Sequence, residues 1–316
     1  MCIFAALITL IERKLMRLAF LISAQRDAHH LRDLVESLPK DAEYYIHIDR
    51  RRDVQHFRKL VDAANVHFIS HRVAVIANSL NEVEVQVALL RAALEGGAYD
   101  RLVKIDGMDY PVWSNNRLTS FFAEAGDSQQ LQGLALPGQG RAAYKYTDFQ
   151  LLADHHWRGG SFKNSVRTLA RNVLAQGHVH KTLRIHCPEK TYTLFVGGTT
   201  WAITPQLAQK IVDEWDQNKH LRTYFSTSYR PVETFVPTVA FNSDFASQCE
   251  LVKGSFEGVE ALQALTYGKG KTAKILTEDD FEAVKESGKM FCRQVVSDYS
   301  DGLKSLIDAG RREADA

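Results

Sequence analysis

The sequence predicts an α/β fold, and three observations in its first fifty residues carry that prediction. Leu18 to Ser23 is an unbroken apolar run, as expected of a strand buried on both faces of a parallel sheet. Asp27 to Leu38 then sets Leu31, Leu34, Val35 and Leu38 at helical spacing, and Pro39 ends the helix. Tyr44 to Asp49 reads as a second strand closing on an acidic residue. Strand, helix, strand is a βαβ opening, as in nucleotide-binding α/β folds.

The remaining elements follow the same alternation. Val66 to Ile69 is a short third strand. Ser79-Leu80-Asn81-Glu82 reads as a capping box that opens a helix running to Gly96-Gly97. Tyr99 to Ile105 is a fourth strand, ending in Asp106-Gly107-Met108-Asp109-Tyr110-Pro111. Residues 126–190 carry the weakest pattern; Arg141 to Tyr146 is basic and aromatic, and Asp154-His155-His156-Trp157 has metal-like residue types. Two adjacent histidines cannot both face one ion from a strand, so this segment reads as an insertion shaping a cleft. Lys163, Arg167 and Arg171 fit a solvated helical face.

Leu194 to Trp201 is a strand-like run broken by Gly197-Gly198, where backbone can approach a ligand closely. After a helical segment, Pro231 suits the first turn of a helix and places Glu233 in that turn, near the positive end of the dipole. Phe245 to Ser255 is strand-like, and Thr277 to Asp280 opens another helix with an N-cap and an acidic first turn. No internal repeat or linker divides the chain. The expected organisation is an apolar extension over 1–15, one domain over 16–300, and a C-terminal helix or tail over 301–316.

Composition narrows the function classes. The 316 residues are 45% hydrophobic, enough to bury a sizeable core. Thirty-nine basic against 38 acidic residues give a net charge of +1, which argues against a nucleic-acid binder. Four scattered cysteines without a CxxC pair disfavour a disulfide framework or zinc site and suggest a reducing compartment. Met1 to Leu10 is too short an apolar run to span a bilayer, which needs about twenty residues. Its charges (Glu12, Arg13, Lys14) follow it, unlike those of a signal peptide. Neither G-x-G-x-x-G nor a P-loop stands at the first turn, where Ala24-Gln25-Arg26-Asp27 lies, so dinucleotide and ATP readings are poor.

In this order, the stretches resemble the core-2/I-branching β-1,6-N-acetylglucosaminyltransferases and their peptide O-xylosyltransferase relatives, glycosyltransferase family 14. That family's centre reads roughly Gly-Gly/Ser-x-x-Trp, Pro-Asp-Glu-x-x-x-x-Thr, Asn-Ser. This chain has Gly197, Gly198, Trp201, Pro231, Glu233, Thr238 and Asn242-Ser243, with Val232 in place of the family's Asp. His47-Ile48-Asp49 resembles the family's His-x-Asp stretch. Asp106 to Pro111 resembles its Ser-Gly-x-Asp-Tyr-Pro motif, with Asp106 at the serine. Ile76-Ala77 replaces its Trp-Gly pair, and Glu84 falls at a polar nucleotide contact. In the tail, Lys274 and Arg293 keep the pattern, whereas Thr266 and Gln294 stand where the family has arginine and lysine.

The resemblance implies a Rossmann-like GT-A variant with a mixed central sheet flanked by helices, in a bacterial-type member. It implies Glu233 as catalytic base, and nucleotide-sugar contacts from His47, Asp49, Glu84, Asp109, Gly198, Trp201, Lys274 and Arg293. The implied reaction is inverting transfer of N-acetylglucosamine from UDP-GlcNAc to a hydroxyl of a glycan or glycoconjugate, with no metal. The implied setting is the cytoplasm, with peripheral association at the inner membrane face. Three alternatives stay open: a UDP-xylose donor, a metal held by Asp49 or by Asp106 and Asp109, and a catalytically silent carbohydrate-binding protein.

Overall fold

The structure, a computed structural model, describes residues 16–136, 145–151, 179–256, 258–269 and 274–315. The apolar segment 1–15, Arg141, the His155-His156 pair, the basic stretch from Lys163 to Arg171, and Lys271 lie outside the described residues.

β1 (Leu18–Ala24) lies in the middle of the main sheet, which is why its sequence is apolar on both faces. α1 (Ala28–Ser37) begins at Asp27, whose carboxylate accepts the His30 N–H from a left-handed backbone at φ 56°. β2 (Glu43–Ile48) returns parallel to β1, and α2 (Val54–Leu60) leads to β3 (Val66–Phe68), parallel to β2. α3 (Asn81–Gly96) crosses back, and β4 (Arg101–Asp106) pairs in parallel on the other side of β1. After β5 (Tyr110–Pro111), α4 (Asn115–Glu124), β6 (Gln132–Ala135), β7 (Arg184–His186), β8 (Thr191–Thr193) and β9 (Phe195–Gly197) comes β10 (Trp201–Ile203). β10 joins β4 antiparallel, so the five strands run β10-β4-β1-β2-β3. The mixed sheet flanked by helices is the expected one.

The second half continues through α5 (Pro205–Gln217), α6 (Lys219–Ser226), a 3-10 turn over Pro231–Glu233 and α7 (Phe235–Phe241). β11 (Glu250–Leu251), β12 (Thr266–Gly268), α8 (Phe281–Glu286), β13 (Phe291–Arg293) and α9 (Asp301–Asp315) complete it. The strand expected over Phe245 to Ser255 shrinks to β11, because Ala246–Gln248 coils into a 3-10 turn. Thr277 and Asp280 form the expected cap, as a reciprocal capping box.

Strand alternation sends two sets of side chains to opposite faces. Leu21, Tyr45 and Leu102 pack with Val83, Val87 and Leu90 of α3 and Leu207 and Ile211 of α5. Phe20, Ile22, Ile46 and Val103 pack with Leu31 and Leu34 of α1 and Leu118 and Phe122 of α4. A smaller cluster joins Tyr110 and Cys292 to Val284 of α8 and Leu303 and Ile307 of α9. Among the described residues no helix is long and apolar enough to cross a membrane.

Candidate functional site

The face of the sheet turned towards α3 becomes polar at its carboxyl end, where Lys104, level with Leu21, reaches up to the last rung. There the parallel register sets Ser23 level with His47 on one side and Asp106 on the other. This polar rung is the floor of a cavity of about 470 Å³. Its walls come from the β1–α1 turn, the first turns of α3, the turn after β4, the Arg230–Glu233 segment, and the stretches around Val259–Lys269 and Arg293. The cavity thus lies at the carboxyl ends of the parallel strands, between β1's two neighbours, where open α/β sheets hold their ligands.

Glu233 reaches this cavity from the turn that Pro231 opens, and only 3% of it is exposed. Tyr146 donates its hydroxyl to Oε2 at 2.8 Å, and Arg230 Nη1 stands 2.5 Å from Oε1. Burial disfavours the charged carboxylate and outweighs both partners, so its pKa is pushed up to about 7. Arg230 is itself left-handed at φ 43° and donates Nε to Asn78 Oδ1 at 2.9 Å. Asn78, left-handed at φ 62°, gives its backbone N–H to Glu82 Oε2 at 2.8 Å. Two non-glycine residues held at positive φ, meeting across 152 positions of sequence, are the kind of backbone strain that collects at functional sites.

Glu82 corrects two expectations. Its carboxylate takes the Asn78 N–H instead of the Ser79 N–H of a capping box, and it lines the cavity. Burial pushes its pKa up to about 7. Glu84, two residues on, is turned to the far side of α3, bonds His71 at 3.1 Å, and is not a cavity residue. Gln86, one turn beyond Glu82, lines the cavity at 2% exposure with neither amide atom partnered among the described residues.

The floor carries a dense set of ion pairs. Arg293 forks onto Asp109 (Nε–Oδ1 2.7 Å, Nη2–Oδ2 2.8 Å) and reaches Asp106 Oδ2 at 3.0 Å. Lys104, almost wholly buried, directs Nζ to Ser23 Oγ, Ile105 O and Asp106 Oδ1. Burial would raise Asp106, but Lys104 and Arg293 outweigh it and hold the carboxyl well below its usual range. Burial would likewise lower Arg293, and its two aspartates reverse that. Lys269 pairs with Asp280. Arg26, in the β1–α1 turn, is a cavity cation with no carboxylate partner among the described residues; its Nε contacts Met108 Sδ at 3.0 Å.

His47, Asp109, Glu233 and Arg293 are therefore brought together, and other expected residues are not. His47 Nε2 accepts the Val73 N–H at 2.9 Å, Nδ1 has no partner among the described residues, and burial pulls its pKa down to about 4. Asp49 lies outside the lining, because Arg51 and the Val75 N–H occupy its carboxylate. Gly198 makes its close approach to the protein's own backbone: a Cβ there would stand 2.6 Å from Leu262 O. Its neighbour Thr199 lines the cavity in its place, tied by its N–H to Gln263 Oε1. Trp201 is a wholly buried core residue of β10. Lys274, with its side chain 55% exposed and 3.8 Å from Asp280, stays outside. Thr266 and Gln294 both open on the cavity. Sequence reasoning did not single out Asn78, Gln86 or Arg230, and it placed Tyr146 only within a basic and aromatic stretch. Their roles arise from contacts across distant positions, which no local motif signals.

A strand-end cavity with a near-neutral buried carboxylate and cations at its floor defines an α/β enzyme of polar ligands. The Core-2/I-Branching enzyme family matches residues 18–254, most of the chain, and the protein belongs to that family of glycosyltransferases. No curated protein matches the chain. Among solved structures it is distantly similar to the crystal structure of mannose-1-phosphate geranyltransferase from Thermus thermophilus. That likeness has 12% identity, covers 80% of this chain and 83% of the other, and has a TM-score of 0.29.

Proposed function

We propose that the protein is an inverting, metal-independent glycosyltransferase of the GT-A type that moves N-acetylglucosamine from UDP-GlcNAc to a hydroxyl of a glycan or glycoconjugate. The observation that carries this reading is Glu233, a buried cavity carboxylate with two hydrogen-bonding partners and a pKa pushed up to about 7. In an in-line displacement, the acceptor oxygen bonds to the anomeric carbon as the bond from that carbon to the diphosphate oxygen breaks. The acceptor proton passes to Glu233, and the electron pair of the broken bond leaves on UDP.

The departing diphosphate needs positive charge in the closed site. Arg26 is free of carboxylates among the described residues, and Lys269 and Arg293 stand on the same wall system. Metal independence is supported by the state of the two floor aspartates, whose oxygens are already engaged by Lys104 and Arg293. A reducing, cytoplasmic setting is supported by the free thiols of Cys187, Cys249 and Cys292.

A panel of UDP-sugars scored for UDP release, with and without glycan acceptors and EDTA, tests the proposal. UDP-GlcNAc should lead, its turnover should depend on acceptor, and EDTA should leave the rate intact. Preference for UDP-xylose would reassign the donor. Inhibition by EDTA rescued by manganese would move the diphosphate to a metal on the aspartates, and UDP binding without any turnover would make the protein a silent binder.

A further inference from the structure

α3 presents two polar side chains to the cavity, Glu82 and Gln86. Glu82 and Gln86 stand four residues apart, hence on one helical face. Gln86 is only 2% exposed, and both its amide nitrogen and oxygen lack partners among the described residues. A buried carboxamide left empty on both sides forfeits its hydrogen bonds to water without replacement, so its presence at a cavity wall points to a ligand that fills it. Glu82 has one partner, the Asn78 N–H, and no cation within ion-pair distance among the described residues. Arg230, the cation nearest in influence, is already bonded to Glu233 and Asn78, while Asp106 and Glu233 act on Glu82 as like charges. Burial thus favours the protonated form of Glu82, a hydrogen-bond donor as well as an acceptor.

The charges divide the cavity. Arg26, Lys269 and Arg293 belong to the β1–α1 turn and the C-terminal segments, whereas the α3 wall offers a carboxyl and an uncharged amide and no cation. An anion placed against α3 would meet no free cation there, and it would lie near the carboxylates of Asp106 and Glu233. Neutral hydroxyl and acetamido groups match the donors and acceptors on offer. Resting on the donor reading above, we propose that Glu82 and Gln86 form the subsite for the uncharged sugar of the nucleotide-sugar donor, and so determine which sugar is accepted, while the diphosphate lies towards Arg26.

Calorimetry with two probes, UDP and UDP-GlcNAc, tests this on wild type, Glu82→Ala, Glu82→Gln and Gln86→Leu. Glu82→Ala and Gln86→Leu should each weaken UDP-GlcNAc about three- to tenfold, the range of one or two lost hydrogen bonds, while UDP binds at least as tightly as before. Glu82→Gln, an uncharged isostere that can still donate, should recover most of the loss. Gln86→Leu keeps the volume and removes the empty amide, so it should melt no lower than wild type, which separates a lost contact from a lost fold. Equal weakening of UDP and UDP-GlcNAc would show that α3 reads the nucleotide, and would overturn the assignment. Wild-type binding of UDP-GlcNAc that all three variants leave intact would overturn this subsite alone, and failure of the wild type to bind UDP-GlcNAc would overturn the donor reading with it.

Discussion

In the proposed mechanism, Glu233 concentrates the chemistry in one carboxylate whose ionisation is set by its surroundings. Because it must be deprotonated to accept a proton, kcat/KM should rise with pH through about 7 and level above it. Glu233→Gln should lower kcat by about two to four orders of magnitude, read by UDP release, while UDP binding persists. Tyr146 stabilises the charged form by its hydrogen bond, so Tyr146→Phe should move the same limb to higher pH. The carboxylate also bears on stability. Its folded pKa lies above the 4.5 of an ordinary glutamate, so the folded chain binds the proton more tightly. The stability this gives is present below about pH 4.5 and is lost as pH rises through about 7. Glu233→Gln should therefore melt above wild type at pH 8 and close to it at pH 4, as followed by calorimetry.

At the scale of elements, β13 and the β1–α1 turn supply cations of different kinds. Arg293 on β13 compensates the buried Asp109 and the partly exposed Asp106, and leaving a buried acid such as Asp109 without its partner costs about 3–5 kcal/mol. Arg293→Ala should thus lower the melting temperature clearly. Arg26, exposed and bonded only to a thioether among the described residues, should behave oppositely. Arg26→Ala should leave the melting temperature in place and weaken UDP about tenfold, a loss that shrinks in high salt. Helix phase explains why one residue of this site was misread. Glu82 and Glu84 look alike in sequence, yet two residues turn a helix by about 200°, so only one of them can face the sheet's edge. Trp201 and Gly198 were misread for another reason. A tryptophan and a glycine beside a strand end serve equally for a ligand or for tight packing, and here a core and the backbone at Leu262 occupy them.

For the whole molecule, the alternation of apolar runs made the βαβ opening and the mixed sheet legible, because burial on both faces leaves a continuous pattern. Pro231 made Glu233 legible in the same way, by fixing a local turn. Contacts joining distant stretches were not legible: Tyr146 meets Glu233 across 87 positions. The last helix is another such case. Its Leu303 and Ile307 are buried, and Lys304 Nζ pairs with Asp33 of α1 at 2.7 Å. Truncation after Ser300 should therefore destabilise the protein, measured as a lower denaturation midpoint in urea, instead of trimming a dispensable tail.

The fork of Arg293 onto Asp109 spans 184 positions, and it sets a schedule for biosynthesis. A ribosome that has delivered the whole parallel sheet has also delivered Asp109, but not yet the guanidinium that neutralises it; Asp106 has Lys104 on its own strand. Until that strand emerges, Asp109 either stays wet or takes up a proton, so the carboxyl edge of the sheet cannot close there. Nascent chains stalled before β13 should thus be cut by protease near the Asp106–Asp109 turn, and chains stalled well beyond β13 should be protected there. The cavity at the strand ends would then be withheld from every unfinished copy of the protein.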